Sequence, residues 1–132
     1  FKDGVDVVTP DTIASDPERK ALFDDAIAAA VSAYEKLLDA GVPAEDARYL
    51  LPNAAESKIV ITMNVRELLH FFKLRCCNRA QWEIRDMAHR MLELARPTAP
   101  FVFADAGAPC VSGACPEGKM SCKTPYPRVK RS

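Results

Sequence analysis

The run KIVITM, inside residues 57–63, is the one stretch of this 132-residue chain rich enough in β-branched residues to predict a strand. A strand by itself leaves a row of backbone N–H and C=O groups unpaired, and such groups are costly to bury. The other periodic segments read as helices. The chain is therefore expected to be α+β, a helix-rich portion of an α/β-mixed domain. Its sheet would be completed by a missing N-terminal half or by another subunit.

The helices are marked by their ends. Asp16 can cap, Pro17 suits the first helical position and Glu18 favours the positive end of the helix dipole. From there Leu22, Ala26, Ile27, Ala30, Val31, Tyr34, Leu37 and Leu38 recur at helical period, until Gly41 and Pro43 stop the run. A helix is expected over 17–40. PAEDARYLL, between Pro43 and Pro52, reads as a short helix, and a further helix over 65–77 follows the strand almost directly. Asn78 with Gln81 resembles a capping box for a helix over 79–95, whose stripe is Ala80, Ile84, Met87, Ala88, Met91, Leu94 and Ala95. Residues 1–15 look extended, with VDVV a short strand before Pro10.

From Pro97 the texture changes. Six of the ten prolines and three of the five glycines fall there, the pattern of an irregular tail lying on the surface. Two regions are expected, 1–96 and the Pro- and Cys-containing tail 97–132.

Eighteen basic and eighteen acidic residues cancel, which gives no support to bulk attraction for nucleic acid or a membrane surface. No apolar run approaches the roughly 20 residues of a membrane span. The opening FKDGVDVVTP has neither the basic start nor the apolar block of a signal peptide, and its lack of an initiator Met is expected of a piece of a longer chain. Five cysteines, two of them adjacent, do not suggest a secreted disulfide scaffold, so a reducing cytoplasm is the expectation.

Three arginines stand out. On the helical wheel of MNVRELLHFFKLR, Leu68, Phe71 and Phe72 gather on one side. Arg75 falls there too, as does Asn64 just before the helix, while Arg66, His70 and Lys73 line the opposite side. A guanidinium on an apolar face needs an anion or several acceptors. Arg48 sits among Ala47, Leu50 and Leu51. One reading makes these arginines solvated or structurally ion-paired. The other makes them a divided anion site, since arginine suits bidentate phosphate recognition. His70 and His89 have no partner at metal-pair spacing, and no nucleophile triad or Gly-rich phosphate loop is visible. Cys110, Cys115 and Cys122 depart from paired CxxC spacing, so free thiols are expected and no metal site is assigned. A metal would need a fourth ligand, from Cys76, Cys77 or His89. The basic end YPRVKRS reads as a solvated tail.

The pieces ARYLLP, NVRELLHFFKLR and AQWEIR, in this order and spacing, resemble the C-terminal half of flavin-dependent thymidylate synthases over about residues 17–96. The family's RHR-type motif, for flavin and nucleotide phosphate, is missing. The resemblance implies reductive methylation of dUMP to dTMP. Methylenetetrahydrofolate would supply the carbon and NADPH the reducing power through FAD, in a homotetramer with shared active sites. It implies that Arg48 and Arg75 bind dUMP and that Asn64, Arg66 and His70 contact FAD. Arg75 would act catalytically, by stabilising negative charge on the uracil ring. Two rival expectations are a non-catalytic remnant that keeps the fold and a small metal-binding module organised by the tail cysteines. In the family the Cys-rich tail looks like an extension found in only some members.

Overall fold

A computed structural model describes residues 5–128. The chain divides after Val60 into two compact units.

In the first unit a short helix α1, Asp11–Ala14, leads into the 23-residue α2, Pro17–Asp39. The Asp16 carboxylate accepts from the Glu18 and Arg19 N–H groups, and Pro17 takes the first helical position, as the sequence predicts. At the other end Gly41 adopts φ +81°, a left-handed conformation that favours glycine. It lets the Val42 N–H reach the Leu37 carbonyl and the Gly41 N–H reach that of Leu38, at 3.0 and 2.9 Å. These two bonds close a Schellman motif. α3, Ala44–Ala47, and the single 3-10 turn Arg48–Leu50 fold back onto α2. The predicted stripe of α2 is only partly covered: Tyr34 is buried, whereas Leu22 is 74% exposed.

The strand expected over 57–63 is not formed. The segment is extended, but among the described residues nothing pairs with it, and Ile59, Val60 and Ile61 face solvent. β-branched residues favour extended backbone, yet a strand requires a partner ladder, and the described residues offer none. VDVV contributes one isolated antiparallel bridge, Val7 to Ala55, flanked by Val8 N–H to Ala54 O and Glu56 N–H to Asp6 O. The helix-rich part of the expectation holds. No sheet is present among the described residues.

In the second unit α4, Val65–Arg75, packs on α5, Trp82–Ala95. Asn64 caps α4 through its side-chain oxygen, which accepts from the Glu67 N–H at 3.0 Å. α5 starts three residues later than expected because Gln81, not Asn78, is its cap; the Gln81 amide oxygen accepts from Glu83 and Ile84 N–H. The Asn78 amide instead donates to the Thr124 carbonyl at 2.8 Å, a contact across 46 residues that local sequence does not signal.

Residues beyond Pro97 do not simply lie on the surface. They carry α6, Pro100–Phe103, then α7, Pro109–Ser112, and a 3-10 turn, Gly118–Met120. Phe103, Ala106 and Ala108 are buried with Phe72, Cys76, Ala88 and Leu92 in one core. The Phe72 and Phe103 rings meet edge to face, with centroids 6.2 Å apart. Gly107, at φ +137°, passes close over α5: a Cβ there would stand 3.7 Å from Leu92 Cδ2. Apolar residues without periodicity thus complete the core that α4 and α5 begin.

Candidate functional site

Along α4 the buried stripe consists of Phe72 and Cys76, flanked by the half-buried Leu68, Leu69 and Phe71. Arg75 stands at the edge of this stripe and is exposed, so its charge is not desolvated by the core. Arg66 and His70, one turn apart, share another exposed face of α4. From Arg66 to Arg75 the helix rises about 13 Å and turns half-way round. The structure therefore brings Arg66 and His70 together and sets Arg75 apart from them. Arg48 is exposed in the first unit, where α3 gives way to the 3-10 turn.

Hydrogen bonding separates these arginines from most others. Arg19 bonds Asp16 and the Thr12 carbonyl, and Arg79 pairs with Glu117. Arg85 donates to the Asn78 carbonyl, Arg90 pairs with Asp86, and Arg96 donates to the Ala106 carbonyl. Among the described residues the side chains of Arg48, Arg66, Arg75 and Arg128 make no hydrogen bond or ion pair, and neither does that of His70. The structural ion pairs that sequence reasoning allowed for are thus not formed at the three nominated positions. Asn64 uses its amide oxygen for the cap and leaves its NH2 group to donate elsewhere. The set comprises guanidinium, imidazole and amide donors, all open to solvent, which suits an anionic ligand rich in acceptors.

Arg75 also lines a shallow cavity of about 270 Å³, with Lys73, Arg79, Pro116 and Glu117. This extends the cationic surface at the end of α4 and is assembled partly from the tail. Arg79 was not singled out by sequence reasoning, and its pairing across 38 residues carries no local signal.

The five cysteines are all free thiols. Cys76 lies wholly in the core, where burial pushes its thiol up to about 11 against a smaller opposing effect of Arg96. The half-buried Cys122 thiol is lowered, chiefly by the Thr124 side-chain hydrogen bond. Burial raises the Tyr126 phenol, whose oxygen lies 3.1 Å from His89 Nε2. Among the described residues no three His, Cys, Asp or Glu side chains already stand at metal-holding distances. No helix among them is long and apolar enough to cross a membrane.

Comparison with known proteins identifies relatives. Residues 1–101 match the family described as "Thymidylate synthase complementing protein". A flavin-dependent thymidylate synthase of Geobacter sulfurreducens is 55% identical over 91% of this chain and 52% of its own length. Proteins of the same name from Clostridium tetani and Nitratidesulfovibrio vulgaris are 41% and 49% identical, over 87% and 92% of this chain and 53% and 54% of theirs. The chain thus spans about half the length of the curated relatives it matches. The Geobacter match covers 120 residues, so it runs past residue 101 into the tail that the family match leaves out.

Proposed function

The chain belongs to the flavin-dependent thymidylate synthases, and we propose that it supplies part of the dUMP and flavin site of such an enzyme, in the cytoplasm. The reaction is the reductive methylation of dUMP to dTMP, with methylenetetrahydrofolate and NADPH as co-substrates. FAD, when bound, supplies the redox chemistry; this chain supplies binding, orientation and charge. The observation that carries the reading is the unpartnered state of Arg48, Arg66 and Arg75 in a chain whose other described arginines, Arg128 apart, are engaged. An exposed arginine without a partner keeps its planar fork free for a ligand.

Arg66 and His70, with the Asn64 amide at the helix start, are the donors proposed to hold the flavin. The donor set fits a group carrying a pyrophosphate and ring acceptors. Arg48 and Arg75 are proposed to bind dUMP, with the Arg75 charge stabilising negative charge that develops on the base. They belong to different units, and in this reading further residues complete the site from the other half of the enzyme and from neighbouring copies in a homotetramer. The exposed, unpaired run Ile59–Ile61 supports that reading, because such an edge is suited to strand addition.

A flavin fluorescence titration tests the proposal. FAD is added to this chain alone and to the chain fused to the corresponding upstream half of the Geobacter sulfurreducens relative. Weak or no quenching with the chain alone and saturable binding by the fusion are expected. Equal binding by both, or binding by the fusion that survives Arg66→Ala and His70→Ala together, would contradict the site.

A further inference from the structure

Four of the five cysteines face one cavity. Cys77, Cys110, Cys115 and Cys122 all line a single cavity of about 380 Å³ in the second unit, while Cys76 is turned into the core. The residues come from four separate stretches: the end of α4, α7, the loop after it, and the segment beyond the 3-10 turn. We propose that this cavity is a structural metal site in which the four thiolates bind one zinc ion. The inference does not depend on the nucleotide and flavin reading.

The surroundings favour the site. Three contacts hold the tail around the segment that follows α4 or close the cavity wall: Arg79 pairs with Glu117, the Asn78 amide donates to the Thr124 carbonyl, and the Tyr126 N–H donates to Cys110 Sγ at 3.4 Å. An N–H aimed at a sulfur is the kind of outer contact that orients and stabilises a thiolate ligand. Arg79 and Glu117 neutralise each other in the cavity wall, and Arg128, which also lines it, offsets part of the net negative charge that four thiolates leave around a dication. Four sulfur ligands at tetrahedral geometry suit zinc, whose bonds to sulfur are about 2.3 Å.

The thiols are not yet at ligating distance, so binding draws the walls together. The walls can move. The helices of this tail are four residues or fewer, and Gly118, at φ +50°, makes the turn between Cys115 and Cys122. Each thiol gives up its proton to the buffer as its sulfur binds the ion, and no electron is transferred. The tail elements are too short to be stable alone, so a metal would tie them to the core.

The test is metal stoichiometry on the full chain, made without an affinity tag and purified under reducing conditions with no chelator. Elemental analysis is expected to give about one zinc per chain, and cobalt exchanged into the site should show the visible bands of a tetrahedral sulfur environment. Changing Cys77, Cys110, Cys115 or Cys122 singly to Ser should remove the metal, whereas Cys76→Ala should keep it. Circular dichroism on each variant separates metal loss from unfolding. A folded wild-type chain that stays metal-free after zinc loading, with five titratable thiols, overturns the proposal. A disulfide between any two of the four in that metal-free chain does so too, as does full zinc retention by Cys77→Ser.

Discussion

Truncating Phe103 to Ala probes whether the tail belongs to the core. The ring is 4% exposed and stands edge to face with the fully buried Phe72. Phe→Ala at such sites costs about 3–5 kcal/mol, combining lost transfer energy with an unfilled cavity. Edge-to-face pairing accounts for about 0.5–1.5 kcal/mol beyond the buried area. Against a typical domain stability of about 5–15 kcal/mol, one substitution removes a large fraction. With a urea slope of about 1–3 kcal/mol/M, the midpoint should fall by on the order of 2 M. Phe103→Leu, which keeps much of the volume, should cost less than about 1.5 kcal/mol. Urea unfolding of the two variants, of Phe72→Leu and of the Phe72→Leu/Phe103→Leu pair yields the coupling between the rings. If Phe103→Ala costs under about 0.5 kcal/mol, as at an ordinary surface position, the packing of the tail onto α4 and α5 is refuted.

In the complete enzyme Arg75→Lys should lower kcat about 30- to 1000-fold, corresponding to about 2–4 kcal/mol, with a smaller effect on dUMP affinity; steady-state rates beside thermal unfolding check this, and lost stability with unchanged turnover would sink the assignment. Raising pH should destabilise the second unit. The unfolded chain releases the Cys76 proton near its ordinary 9.0, while the folded chain holds it to about 11, so stability present below pH 9 is lost between those values, by on the order of 2–3 kcal/mol. Chemical unfolding at pH 8 and pH 10.5 should show the loss in wild type and a clearly smaller one in Cys76→Ala, where the raised Tyr126 phenol still contributes. Replacing Cys110, Cys115 and Cys122 by Ser in the complete enzyme should leave dUMP affinity within about threefold of wild type, by calorimetry, because none is among the proposed nucleotide ligands.

Local chemistry made part of this fold legible. Asp16, Pro17 and Gly41 bound α2 because caps and a left-handed glycine act within one turn. Asn64 marks the start of α4 for the same reason. Long-range pairing was not legible. KIVITM has the composition of a strand, but only a partner decides whether it becomes one. Asn78 and Gln81 both qualify as residues of a cap; Gln81 takes the role, and the Asn78 amide bonds Thr124, far along the chain. The buried Phe103, Ala106 and Ala108 lie in a Pro- and Gly-rich stretch whose short turns hide any period. Of the nominated site, the residue types and the shared face of Arg66 and His70 could be read directly, whereas Arg75, expected among apolar residues, is exposed at their edge. Which arginines would be engaged could not, since Glu117 and the Ala106 carbonyl reach Arg79 and Arg96 only after folding.

Product analysis decides whether this chain supplies part of a thymidylate synthase site. The chain, fused to the upstream half of the Geobacter sulfurreducens relative and loaded with FAD, is given dUMP, methylenetetrahydrofolate and NADPH. Nucleotides are then separated by chromatography. The expected result is dTMP formation that requires FAD and drops by at least about 30-fold with Arg75→Lys. A folded, flavin-loaded fusion that leaves dUMP unchanged, or makes dTMP equally well with Lys at position 75, contradicts it.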